Sequence, residues 1–427
     1  MADKDSLPPD IAQAVAQYGG AEIVIGLPSY NHAANLGALA ACIRQGVQDG
    51  LPGKKALLVN ADCGSTDGSM GQVAAALEGS GDGLGLVQAV VPAQSRDMPY
   101  HGIPGKADGL HLILRVAKAA GARACLMLSP DLASASPDWV GSLCRPILEQ
   151  GFDLVVPIYA RHKFDGAITN AIVRPLVRAL YGRFMRQPMG GEYAFSTTLI
   201  ERYLGGNIWG TDLARIGIDI WTTTQAICGG SKLCQVHLGQ KQQVLSGTPP
   251  DLGTVLTHVL GSLFEDLARN AAVWQRIRGA QPIPVFGTSS NGVPSAVSFD
   301  VHKLVDSFRI GLRNLLELWS VVLPPATLLD LKRVAARTPE SFAIADDVWA
   351  RLVFDFALGY RMRSLNRNHL LGSFLPLYNG WLASFGREMQ DASNAESERR
   401  LEQLCQAYEV QKPYLISRWR SPDRFNP

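Results

Sequence analysis

Residues 22–31 read Glu22-Ile23-Val24-Ile25-Gly26-Leu27-Pro28-Ser29-Tyr30-Asn31. A short apolar, β-branched run that passes at once into a polar loop reads as a strand with a loop at its carboxyl end. The pattern recurs at 56–60 (ALLVN), 85–91, 123–128, 153–158 and 232–238. Between these runs lie stretches of helical period near 34–48, 68–78, 105–119, 137–149, 165–184 and 217–228. Such alternation is the sequence form of stacked βαβ units, so an α/β domain with a mostly parallel, Rossmann-like sheet is expected.

Beyond 254 the character changes. Leu304, Phe308, Leu312, Leu315, Leu316 and Trp319 recur with a period near 3.6, and further helices are expected near 254–277, 340–362 and 394–411. A Pro-, Gly- and Ser-rich stretch, QPIPVFGTSSNGVPS at 281–295, reads as a loop or linker. The expected division is an α/β domain over 1–250 and an all-helical part over 251–427, with no internal repeat.

The 427 residues allow two or three folded units at roughly 100–200 residues each. Hydrophobic residues make up 47% and charged residues 18%, and 40 basic against 38 acidic side chains leave a charge of +2, which excludes a disordered, acidic or strongly nucleic-acid-binding chain. Seven cysteines without a C-x-x-C pair point to neither a zinc ribbon nor a disulfide framework, and a reducing compartment is expected. The N-terminus MADKDSLPPDIAQ is not a secretory signal, and no apolar run approaches the ~18 residues of a membrane span. A cytoplasmic protein is the expectation.

The loops after the strands carry the chemistry. In open α/β sheets ligands bind at strand carboxyl ends, where Asp62 and Asp67 of Asp62-Cys63-Gly64-Ser65-Thr66-Asp67-Gly68 can accept from a base or ribose; equally, they can be turn and N-cap residues. His101-Gly102-Ile103-Pro104-Gly105-Lys106 enters a helix with a lysine at its N-terminus, which suits a phosphate, although the Walker A spacing is absent. Gly79-Ser80-Gly81-Asp82-Gly83 precedes a strand and reads as a plain turn. Asp131, in Ser129-Pro130-Asp131, sits where a carboxylate can hold Mg²⁺ or Mn²⁺ against a diphosphate.

With GLPSYN (26–31), ADCGSTDG (61–68), PGKADGL (104–110), SPDLASASPDW (129–139), QPMGGEY (187–193) and GID (217–219) in this order, the chain resembles the GT-A glycosyltransferases of the mannosylglycerate synthase and glucosyl-3-phosphoglycerate synthase type over roughly 22–245. The resemblance implies a GT-A domain followed by a helical C-terminal domain. It implies transfer of a hexose, with retention, from a nucleoside diphosphate sugar such as UDP-glucose or GDP-mannose to a small anionic acceptor such as glycerate or phosphoglycerate. Pro28, Tyr30 and Asp62 would form the base pocket, Lys106 would face the diphosphate or the donor sugar, and Glu192 and Asp219 would line the donor-sugar and acceptor site. Arg161 would grip the acceptor carboxylate, with Thr169 nearby and Gly190 and Gly191 allowing close backbone approach. Glu192 has a rival reading as a buried loop residue, and Arg161-His162-Lys163 as a solvated charged turn.

Two departures concern the metal. Asp131 matches the last aspartate of the family's D-x-D motif, but Ser129 stands at its head, and Gln243 falls where a metal-binding histidine is expected. Four outcomes stay open: a Mg²⁺ or Mn²⁺ held by Asp131, Gln243 and the donor diphosphate; substitution by His237 or His162; neutralisation by Lys106 and Arg161 without metal; or loss of transfer, leaving a non-catalytic nucleotide-sugar binder. A homodimer built through the helical part is compatible with each.

Overall fold

The computed structural model describes residues 6–79, 83–91, 98–244, 250–289 and 299–421. Ten strands are formed among them: β1 (Ile23–Ser29), β2 (Ala56–Asp62), β3 (Leu84–Val90), β4 (Ala124–Met127), β5 (Leu154–Ala160), β6 (Arg183–Phe184), β7 (Tyr193–Ser196), β8 (Leu233–Gln240), β9 (Gln281–Pro282) and β10 (Val285–Phe286). Helix α1 (Pro9–Tyr18) precedes β1, and α2 (Ala33–Gly50), α3 (Ser69–Leu77), α4 (Lys106–Ala119) and α5 (Asp138–Gln150) lie between the early strands. The chain divides into two compact units. Unit 1 comprises Met1–Ala160, Met189–Pro250 and Ile283–Gly292, and unit 2 comprises Arg161–Pro188, Asp251–Pro282 and Val293–Pro427.

Unit 1 is an eight-stranded sheet in the order β10-β8-β5-β7-β4-β1-β2-β3. All its pairings are parallel except those of β7, which runs antiparallel to both β4 and β5. The α/β class with a mostly parallel sheet and a helical C-terminal region is thus the class observed. Every residue of β1 and β2 is buried, as a parallel sheet covered on both faces requires. One layer of the core joins Ile23, Ile25 and Leu27 to Leu36, Leu39, Ile43, Trp139, Leu143 and Tyr159.

Gly26 in β1 shows how tightly the helical layer is applied. A Cβ there would stand 2.5 Å from Cγ2 of Ile113 in α4 and 2.8 Å from Sδ of Met127. Gly26→Ala is expected to cost about 1–3 kcal/mol by overpacking. Guanidinium denaturation should show that loss and its partial relief in Gly26→Ala/Ile113→Val; an unchanged midpoint for the single variant would contradict the packing.

The six anticipated strands are present, and three features differ from expectation. Tyr193–Ser196 forms a strand the periodicity did not show. The stretch read as a loop at 281–295 contains β9 and β10, with Val285 and Phe286 pairing to Gln235 and Val236 of β8; its residues 290–295, like Ser80-Gly81-Asp82 of the expected turn at 79–83, lie outside the described residues. The helix expected over 165–184 is a wide-turned one, with π-helical Thr169–Val173 and Val177–Tyr181 on either side of Arg174–Leu176.

Unit 2 packs that segment with Leu252–Arg269, Val301–Ser320, Pro325–Ala335, Asp346–Met362, Leu375–Glu388 and Asn394–Arg420. Buried Trp274, Trp319, Trp349, Phe308 and Phe342 supply much of its apolar content. Carbonyls of the wide helix are taken by side chains: Trp349 Nε1 and Tyr408 OH donate to Ala171 O at 2.9 and 3.0 Å, and Lys412 Nζ donates to Ala179 O at 2.8 Å. Side-chain insertion of this kind satisfies groups that a wide turn takes out of the ordinary helical ladder.

Candidate functional site

In unit 1 the chain runs outward from β1 through β2 to β3, then returns to place β4 on the other side of β1. The carboxyl ends of β1 and β4 therefore flank the point where strand order reverses, which is where open α/β sheets form a ligand crevice. The loops 28–33, 62–69 and 128–135 converge there.

The first two loops are laced to each other. Asp62 ends β2 almost fully buried, and its Oδ1 accepts from the N–H groups of Gly64 and Ser65 at 2.9 and 2.7 Å. Asn31, at φ +54°, receives Thr66 N–H on its side chain and donates its own N–H to Ser65 Oγ. Asp67 Oδ2 accepts Ala33 N–H at 2.9 Å, and its Oδ1 accepts from Ser69. Asp67 is thus a loop and helix-start residue. Pro28 is buried at the end of β1 with its Cβ 3.1 Å from the point a Cβ on Gly109 would occupy, so it packs on α4. Tyr30 is half-buried, and its N–H donates to His32 Nδ1.

Lys106 opens α4 beneath the glycine-proline loop. Its Nζ donates to Oδ1 and Oδ2 of Asp219 at 2.8 and 2.7 Å, and both side chains are 7% exposed. Asp219 lies two residues past Gly217, where the helix Asp212–Cys228 leaves helical geometry (φ −107°, ψ 20°). Tyr100 OH donates to Asp219 Oδ2 and Tyr193 OH to the Asp219 carbonyl, each at 3.4 Å. Burial pushes the Asp219 carboxyl up, but the ammonium of Lys106, with His101 and Lys241 adding to it, outweighs that and holds it below the ordinary aspartate value.

A second buried pair adjoins the first. Glu192, fully buried, follows Gly191 (φ +88°) and accepts from Tyr159 OH at 2.8 Å. Lys241, just past β8, donates to both Glu192 oxygens at 2.9 Å and to the Gly190 carbonyl at 2.8 Å. Glu192 is therefore a buried loop residue and half of an ion pair at the strand ends. Lys241 was not singled out in the sequence, although a carboxylate buried this deeply requires a cation.

Asp131 and Gln243 also meet. Gln243 Nε2 donates to Asp131 Oδ2 at 2.6 Å, and Leu132 forms an antiparallel bridge with Gln243, with Ala133 N–H on Gln242 O and Val244 N–H on Asp131 O. These contacts clasp the loop after β4 to the segment after β8. Asp131 Oδ1 is buried without a hydrogen-bond partner, so one charged oxygen is available. Around Asp131 the Gln243 amide presents its nitrogen, His32 is near enough to feel the carboxylate, and position 129 carries an uncharged serine; the described residues contain no group of three or more His, Cys, Asp or Glu side chains able to hold a metal ion. A hard divalent cation needs several oxygen ligands, with charge among them; this donor set does not fit one.

Arg161, directly after β5, and Thr169 are counted in unit 2. Arg161 has a buried Nε without a partner, and Thr169 is the first residue of the π-helical turn. Among the described residues no helix is long and apolar enough to cross a membrane.

No protein-family model and no curated protein matches the chain. Solved structures are similar at low identity. Glucosyl-3-phosphoglycerate synthase from Mycobacterium tuberculosis, in complex with Mn²⁺, UDP and glucosyl-3-phosphoglycerate, is 22% identical with a TM-score of 0.42, over 62% of this chain and 85% of that one. The same enzyme with Mn²⁺, UDP and phosphoglyceric acid is 23% identical with a TM-score of 0.42, over 60% and 82%. A further crystal structure, of a mycobacterial protein, is 21% identical with a TM-score of 0.41, over 62% and 80%.

Proposed function

We propose that the chain is a hexosyltransferase that takes a sugar from a nucleoside diphosphate donor and moves it to a small carboxylated acceptor of the glycerate or phosphoglycerate kind. The observation that carries this reading is the pair of buried, mutually neutralising ion pairs, Lys106–Asp219 and Glu192–Lys241, at the carboxyl ends of a mostly parallel sheet. A sugar presents hydroxyls that both donate and accept. A net-neutral mosaic of fixed carboxylates and ammoniums meets both demands without leaving a buried charge uncompensated.

In this reading Asp62 and Tyr30 lie along the nucleoside, Lys106 faces the departing diphosphate, and Asp219 and Glu192 hold sugar hydroxyls. The bond between the anomeric carbon and the diphosphate oxygen breaks, the acceptor hydroxyl oxygen bonds to that carbon on the same face, and the hydroxyl proton passes to the departing diphosphate. Positioning and fixed charge supply the rate, with no covalent intermediate on the protein. Arg161 and Thr169 are proposed for the acceptor carboxylate on the strength of the sequence resemblance.

The test is incubation with UDP-glucose or GDP-mannose and each of glycerate and 3-phosphoglycerate, with product read by mass spectrometry. One donor is expected to yield a hexosylated acceptor and an equal amount of nucleoside diphosphate. Donor binding without transfer would replace this reading by that of a non-catalytic nucleotide-sugar binder, and absence of donor binding would remove both.

A further inference from the structure

The donor set around Asp131 does not suit a divalent cation, yet a diphosphate in this crevice needs positive charge beside it. Lys241 is placed to supply it. Its Nζ stands 3.6 Å, and Ser129 Oγ 4.0 Å, from the point where a Cβ on Gly191 would lie. The ammonium thus borders the loop after β4, on which Asp131 also sits. Its side chain is 7% exposed and is fixed by the Glu192 carboxylate and the Gly190 carbonyl, 5.3 Å from the centre of the Tyr159 ring. Lys106 and Lys241 both lower the Asp219 carboxyl, and Tyr193 OH, which accepts from Gly191 N–H, donates to the Asp219 carbonyl.

We propose that Lys241 takes the place of a divalent cation beside the ligand's diphosphate, so that nucleotide binding to this chain is independent of metal. The proposal rests on the donor-site reading above. Three features act together. Position 129, whose hydroxyl lies near the ammonium, carries an uncharged serine and no carboxylate. Gln243 occupies Asp131 Oδ2 and ties that acid into the clasp between the two loops. Lys241 is already held by Glu192 and the Gly190 carbonyl, so its ammonium is fixed in place before a ligand arrives. Glu192 holds Lys241 in the absence of ligand, and the N–H now directed at the Gly190 carbonyl is the one a phosphate oxygen takes over.

The test is isothermal titration of the full-length protein with UDP and with GDP, each in EDTA and in Mn²⁺. For the nucleotide that binds, dissociation constants should agree within about twofold between the two media. The variant Lys241→Met/Glu192→Gln removes both charges of the pair and leaves no unpaired acid, and its fold is checked by thermal unfolding. It should bind at least tenfold more weakly in both media. Binding by the unaltered protein that appears only with Mn²⁺ overturns the proposal and leaves the donor site standing. Undiminished binding by the double variant overturns the role of Lys241. Absence of binding to either nucleotide in either medium overturns the donor-site reading and the proposal with it.

Discussion

Lys106→Met will destabilise the protein by about 3–5 kcal/mol, because it leaves the Asp219 carboxylate buried and without its counter-charge. The expectation follows from the geometry: both acid oxygens lie within 2.8 Å of Nζ, and neither side chain has more than a small fraction of its surface in water. Asp219 sits where Gly217 breaks its helix; besides Lys106 its carboxylate accepts from Tyr100 OH, while His101 and Lys241 act on it only at longer range and do not take the place of the bonded ammonium. Lys106→Met/Asp219→Asn removes both charges and should recover most of the lost stability in guanidinium denaturation. Turnover should not recover. If Lys106 meets the charge that develops on the departing diphosphate, transfer falls by roughly 10²–10³ in both variants, the scale of losing one preorganised stabilising donor. Stability and rate thus separate the structural role of the pair from its chemical one. A double variant with restored stability and full turnover would assign Lys106 to structure alone.

What the sequence made legible follows from how far each feature depends on distant partners. Strands β1, β2, β5 and β8 stand out because burial on both faces demands unbroken apolar runs. β7 did not stand out: its four residues, Tyr193–Ser196, lie just beyond a glycine pair and owe their extended form to β4 and β5 on either side. β10 is two residues long and exists only through its pairing to β8. At the site, Lys106 was marked by its place at a helix N-terminus and by resemblance, Glu192 and Asp219 by resemblance alone. Their pairing was not readable, since Lys106 and Asp219 are 113 positions apart and Glu192 and Lys241 are 49 apart. Gln243 was considered as a ligand, and the structure brings its amide to Asp131 as a donor, a relation set by the backbone bridge at Leu132 that sequence alone does not show. One signal for Lys241 was available: a lone cation directly after an apolar strand, in a chain with a buried glutamate to satisfy.

Arg418→Met is expected to destabilise unit 2 in a way that depends on pH. Arg418 and Asp355 are 3% and 1% exposed, Arg418 Nη1 donates to Asp355 Oδ1, and Tyr414 OH donates to both carboxylate oxygens at 2.8 and 3.0 Å. Burial pushes the Asp355 carboxyl up to about 7, with Arg418 and Tyr414 acting in the opposite direction. A folded-state value above the unfolded one of about 3.9 means that the folded protein holds an extra proton between those limits. Stability from this group is therefore fully present below pH ~4 and is lost as pH rises through 7. Removing Arg418 takes away the main influence that keeps the carboxylate tolerable when ionised, so the folded-state value rises further. Urea denaturation of Arg418→Met should show a loss of about 3–5 kcal/mol at pH 8, where the acid is charged in both unfolded chain and unaltered protein. At pH 5 the loss should be smaller, because the buried acid can then stay protonated and neutral. Asp355→Asn in the same background, which removes the charge at every pH, should flatten the difference between the two conditions. A loss that is the same at pH 5 and pH 8 would mean that the guanidinium acts there through its packing on the Tyr414 ring, 5.6 Å away, and not through its charge.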